Sequence, residues 1–131
     1  MANDTLAPKK ILVIEDDGSV LSILTNALGK QGFIMMGARN GEEGLQMCFK
    51  EHPDLVLLDI IMPKMDGIDM LKRLRQDPWG KNVPVIVLTN LNQADKVSTA
   101  LANEVFDYFV KANTGLDEVI DKVKERLGLP S

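Results

Sequence analysis

The chain has little sulfur and little imidazole: one cysteine, Cys48, and one histidine, His52, in 131 residues. A lone cysteine excludes an intrachain disulfide and fits a reducing, cytoplasmic setting. A lone histidine excludes a zinc site built from several histidines. No apolar run approaches the roughly 20 residues of a membrane-spanning helix, and residues 1–8 lack the apolar core of a signal peptide. Basic excess is also missing. Fifteen Lys and Arg against nineteen Asp and Glu leave a formal net charge of -4, which works against a general grip on nucleic acid. Neither G-x-G-x-x-G nor G-x-x-x-x-G-K-[ST] occurs, so no glycine-rich phosphate loop is encoded. The expected partners are therefore proteins, with no direct contact to nucleic acid or membrane.

What is present suits one globular domain. Hydrophobic residues make up 45% and charged residues 26%, enough to bury a core at this length. Residues 1–8 read as a disordered polar tail and 9–128 as the domain. Five short apolar runs stand out: Ile11–Ile14, Phe33–Met36, Leu55–Leu58, Val83–Leu88 and Tyr108–Val110. Three of them, ILVI, LVLL and VIVL, show no polar alternation, as strands buried on both faces require. Segments with helical periodicity lie between and after them. Val20, Ile23, Leu24, Ala27 and Leu28 mark the first, and Leu45, Met47, Cys48 and Phe49 the second. Ile68, Met70, Leu71 and Leu74 mark the third, and Val97, Ala100, Leu101 and Val105 the fourth. Leu116, Val119, Ile120, Val123 and Leu127 mark the fifth. Gly32 is placed for a left-handed turn after the first helix, Asp66-Gly67 for the start of the third, and Thr114 for the cap of the fifth. Five βα units in sequence imply an α/β fold with a parallel sheet covered by helices on both faces.

The polar residues at the ends of these strands carry the functional signal. Glu15, Asp16 and Asp17 follow the first strand, Asp59 the third, Thr89 the fourth and Lys111 the fifth. In an open parallel sheet the carboxyl ends of the strands form the ligand-binding rim. Clustered carboxylates repel, and a hard divalent cation such as Mg2+ relieves the repulsion with oxygen ligands. A carboxylate can act as a nucleophile toward phosphorus, and a lysine ammonium and a threonine hydroxyl suit the phosphoryl oxygens. Together these parts specify phosphoryl transfer to an aspartate. Other residues read more plainly: Cys48 as core packing, His52 as a helix-end residue and the methionines as gap-fillers. Trp79 reads either as a cover for apolar surface or as a partner contact.

The segments ILVIEDD (11–17), LVLLDIIMPKMDG (55–67), PVIVLTN (84–90) and DYFVKAN (107–113) resemble the receiver domain of two-component response regulators, in particular the single-domain, chemotaxis-regulator-like type. The resemblance runs from about Lys9 to Leu127, and the second segment is its most specific part. It implies a flavodoxin-like (βα)5 doubly wound fold with strand order 2-1-3-4-5. It further implies Asp59 as the phosphoacceptor, and Mg2+ held by Asp16, Asp59 and the backbone carbonyl of Ile61, with Glu15 acting through water. Thr89 and Lys111 would meet the phosphoryl group, and Tyr108 would be the aromatic that changes rotamer on activation. The implied donor is a histidine kinase or histidine phosphotransfer protein. The implied output is an unidentified downstream protein, or a homodimer through the fourth helix, fifth strand and fifth helix. Such a domain assists its own phosphorylation and dephosphorylation without being a turnover enzyme.

Several positions depart from the family pattern. Ala112 follows Lys111, where the family usually has a proline with a cis bond. A cis bond without proline costs about 2.5–4 kcal/mol, so cis and trans both stay open here. Asn90 replaces the usual small residue after Thr89, and Asn103-Glu104 stands where a glycine is common. Ile61 and Leu91, at positions that flank the attacking water in the family, are both apolar, which implies slow loss of the phosphoryl group. Three rival readings fit the sequence less well. A flavodoxin-like cofactor binder conflicts with three carboxylates on the rim. A haloacid-dehalogenase-like phosphatase conflicts with Ile61 in place of the second acid of D-x-D. A degenerate receiver acting as an unphosphorylated scaffold is opposed by the intact acidic set.

Overall fold

A computed structural model of the chain describes residues 8–59, 67–89, 107–110 and 115–130; for Thr89 and residues 107–110 it describes the backbone. Five strands, β1 (Lys10–Ile14), β2 (Ile34–Ala38), β3 (Leu55–Asp59), β4 (Val85–Thr89) and β5 (Asp107–Val110), form one sheet in the order β2-β1-β3-β4-β5. Every pairing is parallel. The described helices are α1 (Gly18–Gly29), α2 (Gly41–Glu51), α3 (Gly67–Gln76) and a C-terminal helix (Leu116–Arg126), which corresponds to the fifth helical segment of the sequence. The fourth segment, residues 97–105, lies outside the described residues, as do Asn103-Glu104, Asp66 and Thr114. The fifth helix opens on Gly115 as its N-cap, one residue later than Thr114. There the Glu118 carboxylate accepts from the Gly115 N–H at 3.5 Å.

The central strands alternate between two cores, because successive side chains leave opposite faces of a strand. Leu12, Ile14, Val56, Leu58, Val85 and Val87 join one core with Leu45 and Cys48 of α2 and Met70, Leu71 and Leu74 of α3. Ile11, Val13, Leu55, Leu57, Ile86 and Leu88 join the other with Leu24 and Leu28 of α1 and Val119 and Val123 of the C-terminal helix. Both faces are buried, which explains why polar residues are absent from these runs. Each fully buried aliphatic side chain contributes about 1.5–3 kcal/mol, so the two layers fix the register firmly. β2, at the sheet edge, follows the expected position less closely. It begins at Ile34 and extends to Ala38, while Phe33 is buried just ahead of it.

The ends of the elements agree with local chemistry. Gly32 has a φ of 98°, the left-handed turn its position suggested, though the cap of α1 is Lys30. His52 caps α2 in the left-handed region, its N–H donating to the Cys48 carbonyl at 2.9 Å. Its ring stacks on Trp79, with centroids 4.4 Å apart and planes at 13°. Trp79 thus covers the α2–α3 core. Cys48 is fully buried within that same core.

Candidate functional site

Register brings the acids together. Ile14 lies opposite Leu58 on the neighbouring strand, and Asp59 opposite Leu88. Glu15, the next residue after β1, therefore comes level with Asp59, the last residue of β3. The sheet changes winding direction between β1 and β3, the position where open α/β sheets bind ligands beyond their strand ends. Carboxylate oxygens of Glu15, Asp16 and Asp59 lie within 4.8 Å of one another. Glu15 and Asp59 are buried, at 1% and 5% exposure, while Asp16 is the most open of the three.

The loop carrying Glu15, Asp16 and Asp17 is held from several sides. The Glu15 N–H donates to the Ala38 carbonyl at 3.0 Å, carrying the β1–β2 ladder one step further. The Glu15 carboxylate accepts from the Asp17 N–H at 3.2 Å. Asp17 accepts from the N–H groups of Ser19 and Val20, at 2.9 and 3.3 Å, and so caps α1. That assigns Asp17 a structural task beside the acidic cluster. Arg39, which the sequence reading did not single out, donates from Nε and Nη2 to the Asp16 carbonyl at 3.1 and 2.8 Å. Its partner lies 23 positions away in sequence, and no local motif marks the contact.

Of the other expected site residues, Thr89 closes β4 and pairs with Val110, and Tyr108 lies in β5 opposite Val87. Their strand ends belong to the same rim as Asp59. Ile61, Lys111, Ala112, Asn90 and Leu91 lie outside the described residues. Among the described residues the arrangement brings three oxygen donors and no nitrogen or sulfur donor to one point, a set suited to a hard cation.

Residues 11–124 match the family model described as the response regulator receiver domain. The chain belongs to this family. This receiver is 35% identical over 123 residues to the sporulation initiation phosphotransferase F of Bacillus subtilis, a match covering 94% of this chain and 97% of that protein. It is 41% identical over 103 residues, or 79% of the chain, to a probable transcriptional regulator ycf27 of Porphyridium aerugineum, but spans 42% of that protein's length. Among solved structures, it superposes on a putative response regulator of Chloroflexus aurantiacus with a TM-score of 0.86 at 30% identity, covering 93% of this chain and 99% of the other. A receiver domain from a sensor histidine kinase of Pseudomonas aeruginosa, solved with a magnesium ion coordinated in its active-site cleft, shares the fold. Its TM-score is 0.84 at 22% identity, covering 93% and 99% of the two chains. The receiver is thus a two-component signalling domain. Among the described residues no helix is long and apolar enough to cross a membrane.

Proposed function

We propose that this receiver, comprising residues 9–128, takes a phosphoryl group onto Asp59 from the phosphohistidine of a histidine kinase or phosphotransfer protein. The observation that carries this reading is the convergence of Glu15, Asp16 and Asp59 at the ends of two adjacent strands, with two of the three acids buried. Such a concentration of negative charge is unfavourable in a low-dielectric setting unless a cation offsets it. The all-oxygen donor set fits Mg2+, the ion in the Pseudomonas receiver's cleft. Asp16, Asp59 and the Ile61 carbonyl would hold it, with Glu15 acting through water. Bound there, the ion supplies positive charge against the carboxylates and the phosphoryl oxygens.

The chain's own residues carry the reaction. A carboxylate oxygen of Asp59 attacks phosphorus and forms an O–P bond as the P–N bond to the donor imidazole breaks. The electron pair of that bond stays on the imidazole nitrogen, which takes a proton from solvent. Lys111 and Thr89 contact the phosphoryl oxygens of the resulting acyl phosphate. Tyr108 then repacks, and the surface of the fourth helical segment, β5 and the C-terminal helix changes for a downstream protein or a second copy of the chain. Phosphorylation works here as a bias between two pre-existing states, so the acyl phosphate must favour one of them. The domain acts in the cytoplasm and is consumed as a substrate at each event instead of turning over as an enzyme.

The test is intact-protein mass after incubation with acetyl phosphate or phosphoramidate, with and without Mg2+. The native chain is expected to gain one phosphoryl group in the presence of Mg2+, and Asp59→Asn none. Folded native protein that gains nothing from these donors or from a kinase would support the scaffold reading instead.

A further inference from the structure

Arg39 bridges the end of β2 and the acidic loop. Its backbone is fixed by the start of α2, where the Arg39 N–H donates to Glu43 Oε1 at 3.0 Å. Asn40 caps that helix by accepting from the Glu43 N–H at 2.8 Å. The Arg39 side chain then crosses to the first strand's loop and places two donors on one carbonyl oxygen, that of Asp16. The guanidinium lies beside Gly18, the first residue of α1, at ordinary contact distance. A Cβ there would stand 3.5 Å from Arg39 Nη1. The loop is thus held at Glu15 by the Ala38 carbonyl and at Asp16 by a planar two-pronged donor.

We infer that Arg39 is a positioning residue for the divalent-cation site: it acts through the Asp16 backbone, fixing the direction in which the Asp16 carboxylate is presented. The inference rests on the reading of Glu15, Asp16 and Asp59 as a Mg2+ site. Two effects of Arg39 oppose each other. Its positive charge near the carboxylates disfavours a second cation, whereas its fork orders the most open of the three ligands. Partners that orient metal ligands carry sizeable effects on affinity, and long-range repulsion from an exposed guanidinium is screened by solvent and salt. Orientation therefore wins.

The sign of the effect tests this. MgCl2 is titrated into the native chain, Arg39→Lys and Arg39→Gln, following the backbone amide signals of residues 15–18 by NMR, with thermal unfolding of each protein measured without Mg2+. Lysine keeps the charge and loses the planar fork; glutamine loses both. The inference predicts that both variants weaken Mg2+ binding by roughly three- to tenfold, with unfolding temperatures close to native. Tighter binding by Arg39→Gln, with Arg39→Lys unchanged, would mean that Arg39 acts only as a charge and would overturn the inference. Native-like affinity in both variants would overturn it too. A native chain that shows no saturable Mg2+ response would remove the inference together with the reading of the site on which it rests.

Discussion

At the scale of single residues, space at two glycines shows how closely the helices and their neighbours are packed. A Cβ at Gly44 in α2 would collide with Cδ1 and Cγ1 of the buried Ile14 side chain, just ahead of the acidic loop. A Cβ at Gly80 would collide with the Leu74 backbone carbonyl and stand 2.9 Å from Leu74 Cδ1. The Ile14 side chain can shift only by a small repacking of the core, but alanine favours a helix interior by about 1 kcal/mol over glycine, which offsets part of that cost. A backbone carbonyl at the end of α3 has no such freedom. Gly80 is held further by its N–H to Asp77 at 3.1 Å and by its carbonyl to Arg75 at 2.8 Å. Gly80→Ala is therefore expected to cost roughly 2–3 kcal/mol, and Gly44→Ala clearly less. Urea unfolding midpoints of the two variants check the order; a larger loss at Gly44 would mean that the Ile14 core cannot yield.

Among the elements, α2 illustrates how helix packing sets chemistry. Cys48 faces the sheet with no exposure, and desolvation by burial pushes its thiol from an ordinary 9.0 up to about 12. Because the folded state keeps the proton more tightly than the unfolded state, this thiol costs no stability below pH 9. Stability is lost as pH rises from about 9 toward 12, where only the unfolded chain gains the thiolate. The stability advantage of the native chain over Cys48→Ala should shrink across that range, measured by urea unfolding at several pH values. A constant gap would contradict the burial. The three central strands were legible in the sequence because burial on both faces forces unbroken apolar runs. β2 was legible only approximately: as an edge strand with Ile34 47% exposed, it carries a weaker pattern. The acidic set was legible because strand order converges on one rim. Arg39 was not, since its contact with Asp16 depends on how two loops fold toward each other.

For the whole molecule, the proposed phosphoryl transfer to Asp59 carries an expectation about how long the product lasts. Position 61 carries isoleucine and position 91 leucine, and neither side chain can hydrogen-bond a water attacking the acyl phosphate. Hydrolysis of the phosphorylated chain is accordingly expected to take minutes or longer, followed by intact mass after the donor is removed. Complete loss within seconds would contradict this, and Ile61→Asn, which restores a polar group at that position, should speed the loss. In the proposed reaction one particular carboxylate among three neighbours carries the phosphoryl group. Borohydride reduces an acyl phosphate to the alcohol, so reduction of the phosphorylated native chain followed by peptide mapping reports the acceptor directly. Homoserine is expected at position 59 alone; 5-hydroxynorvaline at Glu15 or homoserine at Asp16 with Asp59 intact, or no reduced residue in a chain that had gained mass, would contradict this.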